Sequence, residues 1–333
     1  MTNKSTIARE WRLKHPDMPT KALARLMYKA KGNNALWSSE ETARTSLRYI
    51  EGKNGEKSRK ALADKALVLT GERPKNPYKL PESDKKDWLP FVITGVSRVA
   101  VWSDIHFPYQ DNEVLTVAIQ EAKKRKVDCI VLNGDLIDFY QLSRFDKDPR
   151  RRSFAGELDA VKEFFGILRK HFKTAKIYFK LGNHEERYEK YMYTKCKELL
   201  GVENFKLQSL LDCDTYGVEI VDEKRIIHLN KLSLIHGHEF VQGMFSPVNI
   251  ARGLFLRAKT SAMQGHNHSS SEHTEPNLNG EITTTWSTGC MCELHPEYMP
   301  INKWNHGFAF VDLDPDGVRY YVKNIRVFEG RVL

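Results

Sequence analysis

The stretch Val127–Asp138, reading VDCIVLNGDLID, constrains this chain more than any other. Cys129 to Leu132 is short, apolar and rich in β-branched residues, which predicts a strand buried on both faces, as in a parallel sheet. Gly134 lets the backbone turn, and Asp135 then falls at the strand's carboxyl end, where open α/β sheets hold their ligands. Asp138 follows three residues later. A carboxylate in that position needs a cation.

Four other expected strands end in the same kind of residue. Arg98–Trp102 leads into Ser103-Asp104-Ile105-His106, and Ile177–Leu181 into Gly182-Asn183-His184-Glu185. Leu232–Ile235 precedes His236-Gly237-His238, and Ala262–Gln264 precedes Gly265-His266-Asn267-His268. Helices are expected over Glu113–Arg125, Phe154–Phe172, Glu186–Leu200 and Val248–Ala258. Asp104 and Asp135 are 31 residues apart, and Asp135 and Asn183 are 48 apart. Each interval holds a helical crossover, so parallel neighbouring strands would aim these groups at one rim. The turn Asn279-Gly280 and the later strands Ile282–Trp286, Phe308–Val311 and Tyr320–Val327 complete a mixed sheet covered by helices. One Asp or His at a strand end commonly just caps a turn. Five such ends call for another reason, and carboxylate, imidazole and amide oxygen together suit manganese, iron or zinc.

The order Asp-x-His, Gly-Asp-x-x-Asp, Gly-Asn-His-Glu, His-Gly-His, Gly-His-x-His resembles the calcineurin-like metallophosphoesterase superfamily, over residues 97–330. The resemblance implies an α/β fold with a β-sandwich flanked by helices and two divalent metal ions at the strand ends. It implies that Asp104, His106 and His268 hold one ion and Asn183, His236 and His266 the other, with Asp135 between them; His238 is the alternative to His236. Manganese is the expected metal, with iron, zinc or nickel as alternatives. Two cations roughly 3.5–4 Å apart share a hydroxide that attacks phosphorus in line. His184 would protonate the leaving alkoxide and Asp138 would orient it. Arg187 either binds a phosphate oxygen or pairs with a nearby glutamate. The run Arg150-Arg151-Arg152 is either solvated or turned to a polyanionic substrate. His306 is expected to be structural, and Cys290-x-Cys292 lacks the second pair of a zinc site.

The net charge of +9 belongs to one end of the chain. Residues 1–90 hold 20 Lys and Arg against 11 Asp and Glu, which leaves 32 of each sign in the rest. Residues 1–70 read as helical. Thr20 would cap a helix carrying Leu23, Leu26 and Met27, and Ser38-x-x-Glu41 would box a second one carrying Leu47 and Ile50 and ending at Gly52. A third would cover Glu56–Leu69. Pro74, Pro77, Pro81 and Pro90 then mark a linker. The expected organisation is a small all-α, basic, helix-turn-helix-like domain at 1–70, a Pro-rich linker at 71–96, and a dinuclear phosphoesterase domain at 97–333. Arg44 and Arg48 share a helix face and would meet DNA or RNA; alternatively Glu40 pairs with Arg44 and the segment packs on the catalytic domain.

Five scattered cysteines argue against a disulfide framework and for a reducing compartment. No apolar run approaches the roughly 20 residues of a membrane span. The expectation is a cytoplasmic, nuclease-like phosphodiesterase. The alternatives are a monoesterase acting on a nucleotide or protein, and a metal-binding scaffold without turnover.

Overall fold

In the computed structural model the described residues are 4–16, 18–30, 36–54, 81, 88–144, 153–222, 224–240 and 248–333. The chain divides into two compact units, Met1–Lys85 and Lys86–Leu333. The third N-terminal helix, most of the proline linker and Arg150–Arg152 lie outside the described residues.

The first unit contains α1 (Lys4–Lys14), α2 (Thr20–Lys29) and α3 (Glu40–Ile50). Their small core is Ala8, Leu23, Ala24, Met27, Trp37, Ala43, Leu47 and Ile50, spaced as one face of each helix requires. The capping box is one residue later than the sequence suggested. Ser39 is extended, the Thr42 amide donates to its hydroxyl, and the Ser39 amide donates back to the Thr42 hydroxyl. Thr20 does not cap α2, whose N-cap is Pro19. Its hydroxyl instead donates to Glu51 at 3.1 Å, a buried carboxylate that also binds Arg12 and Lys53.

The second unit has two sheets. One has seven strands: β2 (Arg98–Trp102), β3 (Cys129–Asn133), β4 (Lys176–Lys180) and β5 (Val218–Val221) run parallel, followed on the β2 side by antiparallel β11 (His306–Leu313), β12 (Tyr320–Phe328) and β13 (Arg331–Val332). The other is ordered β1 (Phe91–Ile93), β6 (Ile227–Leu229), β7 (Leu232–Leu234), β8 (Ala262–Gln264), β10 (Ile282–Ser287), β9 (Ser271–Pro276). Helices α4 (Asn112–Arg125) and α5 (Phe154–His171) make the two crossovers, α6 (Glu185–Lys195) follows β4, and α7 (Ile250–Ala258) precedes β8.

The single mixed sheet of the sequence reading is therefore a sandwich, as the family resemblance implied. Strand alternation explains it. Val99, Val101, Cys129 and Val131 share a core with Leu232, Leu234 and Met263 of the opposite sheet, whereas Ala100, Trp102, Ile130 and Leu132 join the helix-side core. Successive side chains point to opposite faces, so β3 is buried on both. Phe91–Ile93, inside the expected linker, forms an edge strand; its entry is held by Arg225, which donates to the carbonyls of Leu89 and Pro90.

Candidate active site

The five strand ends meet where the two sheets' carboxyl rims adjoin. Asp104 and His106 come from the end of β2, Asp135 and Asp138 from β3, Asn183 and His184 from β4, His236 from β7, and His266 and His268 from β8. The sheets are tied here through backbone. The Asn133 side chain donates to the Ile235 carbonyl at 2.8 Å, and the His266 amide donates to the Asp104 carboxylate at 2.9 Å. Glycine is required for this approach. A Cβ on Gly134 would lie 2.3 Å from the His236 ring, and one on Gly182 would lie 2.3 Å from Asp135 Oδ1.

Asp104, His106, Asp135, His266 and His268 all have left-handed backbone, with φ between 52° and 68°. Such conformations cost on the order of 1 kcal/mol or more each and gather at functional sites. One anchor for them was not read from the sequence. Glu185 is fully buried, and its carboxylate accepts from the amides of Gly182, Asp135, Leu136 and Ile137 at 2.7–3.1 Å. Burial and then the charge of Asp135 push its pKa up.

Within this frame the ring nitrogens face carboxylates and one another. His268 Nε2 lies 3.2 Å from Asp104 Oδ1 and 3.2 Å from His106 Nε2. His236 Nδ1 donates to the Asn133 carbonyl at 2.7 Å, and Nε2 faces Asp135 Oδ2 at 3.2 Å and Asn183 Oδ1 at 3.3 Å. His238 points elsewhere, to Glu186 at 2.8 Å. Burial works against charge on His236, yet Asp135 outweighs it and lifts the imidazole to about 10. Burial and the neighbouring His236 take His266 down to about 4. Buried carboxylates strong enough to hold a proton on His236 would hold a cation in its place. The donor set fits divalent metal: among the described residues, Asp135, His236 and His266 form one group able to hold an ion, and His106, Asp135 and His184 another.

A third such group is His106, His268 and Cys292, with Cys292 Sγ 4.0 Å from His268 Nδ1. The Cys-x-Cys segment thus meets the site through one thiol, which its spacing did not suggest. His306 is structural in its contacts, with Nε2 donating to the Cys292 carbonyl at 2.9 Å.

His184 Nδ1 donates to the Asp138 carbonyl at 2.8 Å and lies 3.1 Å from its carboxylate, while Nε2 accepts from Arg187 at 2.9 Å. Arg187 also donates to the Asp138 carbonyl.

The chain matches the calcineurin-like phosphoesterases over residues 97–282, more than half its length. It belongs to that family. The activity carried by this phosphoesterase is therefore hydrolysis of a phosphoester bond. It is 28% identical over 236 residues to the gene 54 protein of Mycobacterium phage L5, covering 67% of this chain and 91% of that protein; the counterpart in phage D29 is 26% identical with the same coverage. Among solved structures it is similar to a Vps29 mutant from Entamoeba histolytica (13% identity, TM-score 0.38, 71% of this chain and 96% of that one). It is also similar to a dimetal phosphatase from Danio rerio (12%, TM-score 0.35, 70% and 96%).

In the first unit Arg44 pairs with Glu41 at 3.2 Å, not with Glu40, which meets Arg25. Arg48 is half-buried beside it. Among the described residues no helix is long and apolar enough to cross a membrane.

Proposed function

We propose that this phosphoesterase is a dinuclear metal-dependent phosphodiesterase acting on nucleic acid. Asp104, His106 and His268 would hold one ion, Asn183, His236 and His266 the other, and Asp135 both. The observation that carries the reading is that Asp135 belongs at once to the His106 group and to the His236–His266 group. When bound, the cations would supply Lewis acidity toward a phosphoryl oxygen and lower the pKa of the attacking water; manganese is the ion to try first.

His184 is the group to protonate the leaving alkoxide, and Asp138 holds it through Nδ1. Nε2 is engaged as an acceptor by Arg187. A guanidinium drawn to a phosphate oxygen frees Nε2 to take up a proton from solvent, which, against burial, the charge of Asp135 favours, and to pass it to the leaving alkoxide, so Arg187 serves substrate binding and His184 in turn.

His184→Ala is expected to keep its metals and to lose roughly a hundred- to ten-thousand-fold in rate on alkyl esters. Nitrophenyl esters, whose leaving group needs little protonation, should lose far less. Equal losses on both would make His184 a binding residue only.

The nucleic-acid part rests on the basic excess of residues 1–90 and the shared face of Arg44 and Arg48. Deleting residues 1–85, which keeps β1 and the contacts of Leu89 and Pro90, should leave hydrolysis of a small aryl diester near its full-length rate. It should weaken duplex DNA binding and flatten its salt dependence. Equal DNA affinity for both proteins across several salt concentrations would remove DNA binding from this segment.

A further inference from the structure

The loop from Glu293 to Asn305 was not assigned a role by the strand-end motifs, yet it stands beside the site. Trp304 packs edge-on against the His268 ring with centroids 4.1 Å apart, and Tyr298 stands 6.3 Å from Trp304. The loop is firmly tied. Asn302 donates to the carbonyls of Leu294 and Met299 at 2.6 and 2.8 Å, and the Trp304 amide donates to Asn302 Oδ1. His295 Nδ1 donates to the Pro300 carbonyl, and the Asn305 amide to that of His268. On this held loop Tyr298 is 70% exposed.

The base of the same loop borders a polar cavity of about 560 Å³. Tyr109, Gln110, Asp111 and Asn112 line it from one side, and Glu293 and His295 from the other. That size is within the usual range for small-molecule sites, roughly 300–1,000 Å³. Its amide, carboxylate and imidazole groups suit a partner rich in donors and acceptors rather than a plain hydrocarbon ring.

We propose that this loop is the nucleoside subsite of the phosphoesterase, with an unstacked base lying on Tyr298 and its polar groups turned to the cavity at the loop's base. A rigidly presented, exposed aromatic ring beside a phosphate-cleaving site is what base stacking uses, and stacking tolerates any base because each has a π-face. The subsite takes a base that has left its helix, so single strands and nucleoside esters enter in preference to intact duplex. This rests on the phosphodiesterase reading above and names the part of the substrate next to the scissile phosphate.

The test compares full-length protein with manganese on thymidine 5′-(p-nitrophenyl phosphate) and on methyl p-nitrophenyl phosphate, which share a leaving group and differ in the nucleoside. The ratio of their kcat/KM values should fall in Tyr298→Ala by about five- to a hundredfold, the range one base–aromatic stack supplies. Tyr298→Phe should retain it, because the ring and not the hydroxyl makes the stack. Calorimetric affinity for adenosine monophosphate should fall by a similar factor in Tyr298→Ala and stay in Tyr298→Phe. An unchanged ratio with unchanged affinity overturns the subsite. If the wild-type protein turns over neither diester, the phosphodiesterase reading fails, and the affinity comparison alone decides the subsite.

Discussion

Asp135→Asn is expected to cost the enzyme on the order of a thousandfold or more in kcat/KM and to lower its bound metal. The carboxylate is buried, lies 3.2 Å from His236 Nε2 and 3.8 Å from His106 Nε2, and accepts the His184 amide at 2.9 Å. Removing its charge therefore weakens both halves of the donor set together. Charge stabilisation by such cations is worth several kcal/mol, and about 1.4 kcal/mol is tenfold in rate. The variant should fold, because an amide oxygen can still accept the His184 amide. Metal analysis after dialysis and steady-state rates check it. Near wild-type rates, or one metal retained at full affinity with the other untouched, would rule out a shared carboxylate.

The second large effect is expected at a residue away from the reacting atoms. Lys180 ends β4 with its side chain fully buried, and its ammonium lies 2.9 Å from Glu239 and donates to the Arg225 carbonyl at 2.7 Å. Glu239 in turn accepts the amides of His236 and Gly237, so it fixes the turn that carries His236. Burial works against the charge of Glu239, but Lys180 holds its carboxyl down at about 2. Lys180→Met would leave that carboxylate buried without its counter-charge, at a cost of about 3–5 kcal/mol. For a domain of this size each kcal/mol moves Tm by roughly 2–4 °C, so the expected drop is roughly 6–20 °C. Metal affinity should fall as well, since the His236 turn loses its anchor. A Tm within about 2 °C of wild type would mean that water replaces the ammonium at little cost.

The strand-end motifs were legible because their chemistry is local: each needs a buried strand, a turn and a donor within a few residues. Asp104, Asp135, Asn183, His236, His266 and His268 converge for that reason. Lys180 was also visible as an odd cation in the apolar run Ile177–Leu181, but Glu239 lies 59 residues away and nothing in the sequence joins them. Glu185 stood inside a quoted motif, yet three of its four amide partners, Asp135, Leu136 and Ile137, belong to a turn about 50 residues earlier in the chain. The polar edge strand Ser271–Pro276 was missed because it pairs only with β10 and buries almost nothing, so it carries no alternation to read. The choice between Ser38 and Ser39 as the cap depended on the backbone angle at one residue, which the local pattern does not specify.

The bonds joining the two rims span 102 and 162 residues of sequence, from Asn133 to Ile235 and from Asp104 to His266. A cation held by donors from both sheets would act as a non-covalent staple across the sandwich, closing a very long loop that chain entropy otherwise keeps open. Ligation and docking of the halves then become one linked equilibrium, in which each mole of ion bound to the native form adds RT ln(1 + [L]/Kd) to its stability. Chelation should for that reason loosen the seam between the sheets before it disturbs either sheet alone, and the metal content of a preparation becomes a measure of how much of it has its halves engaged.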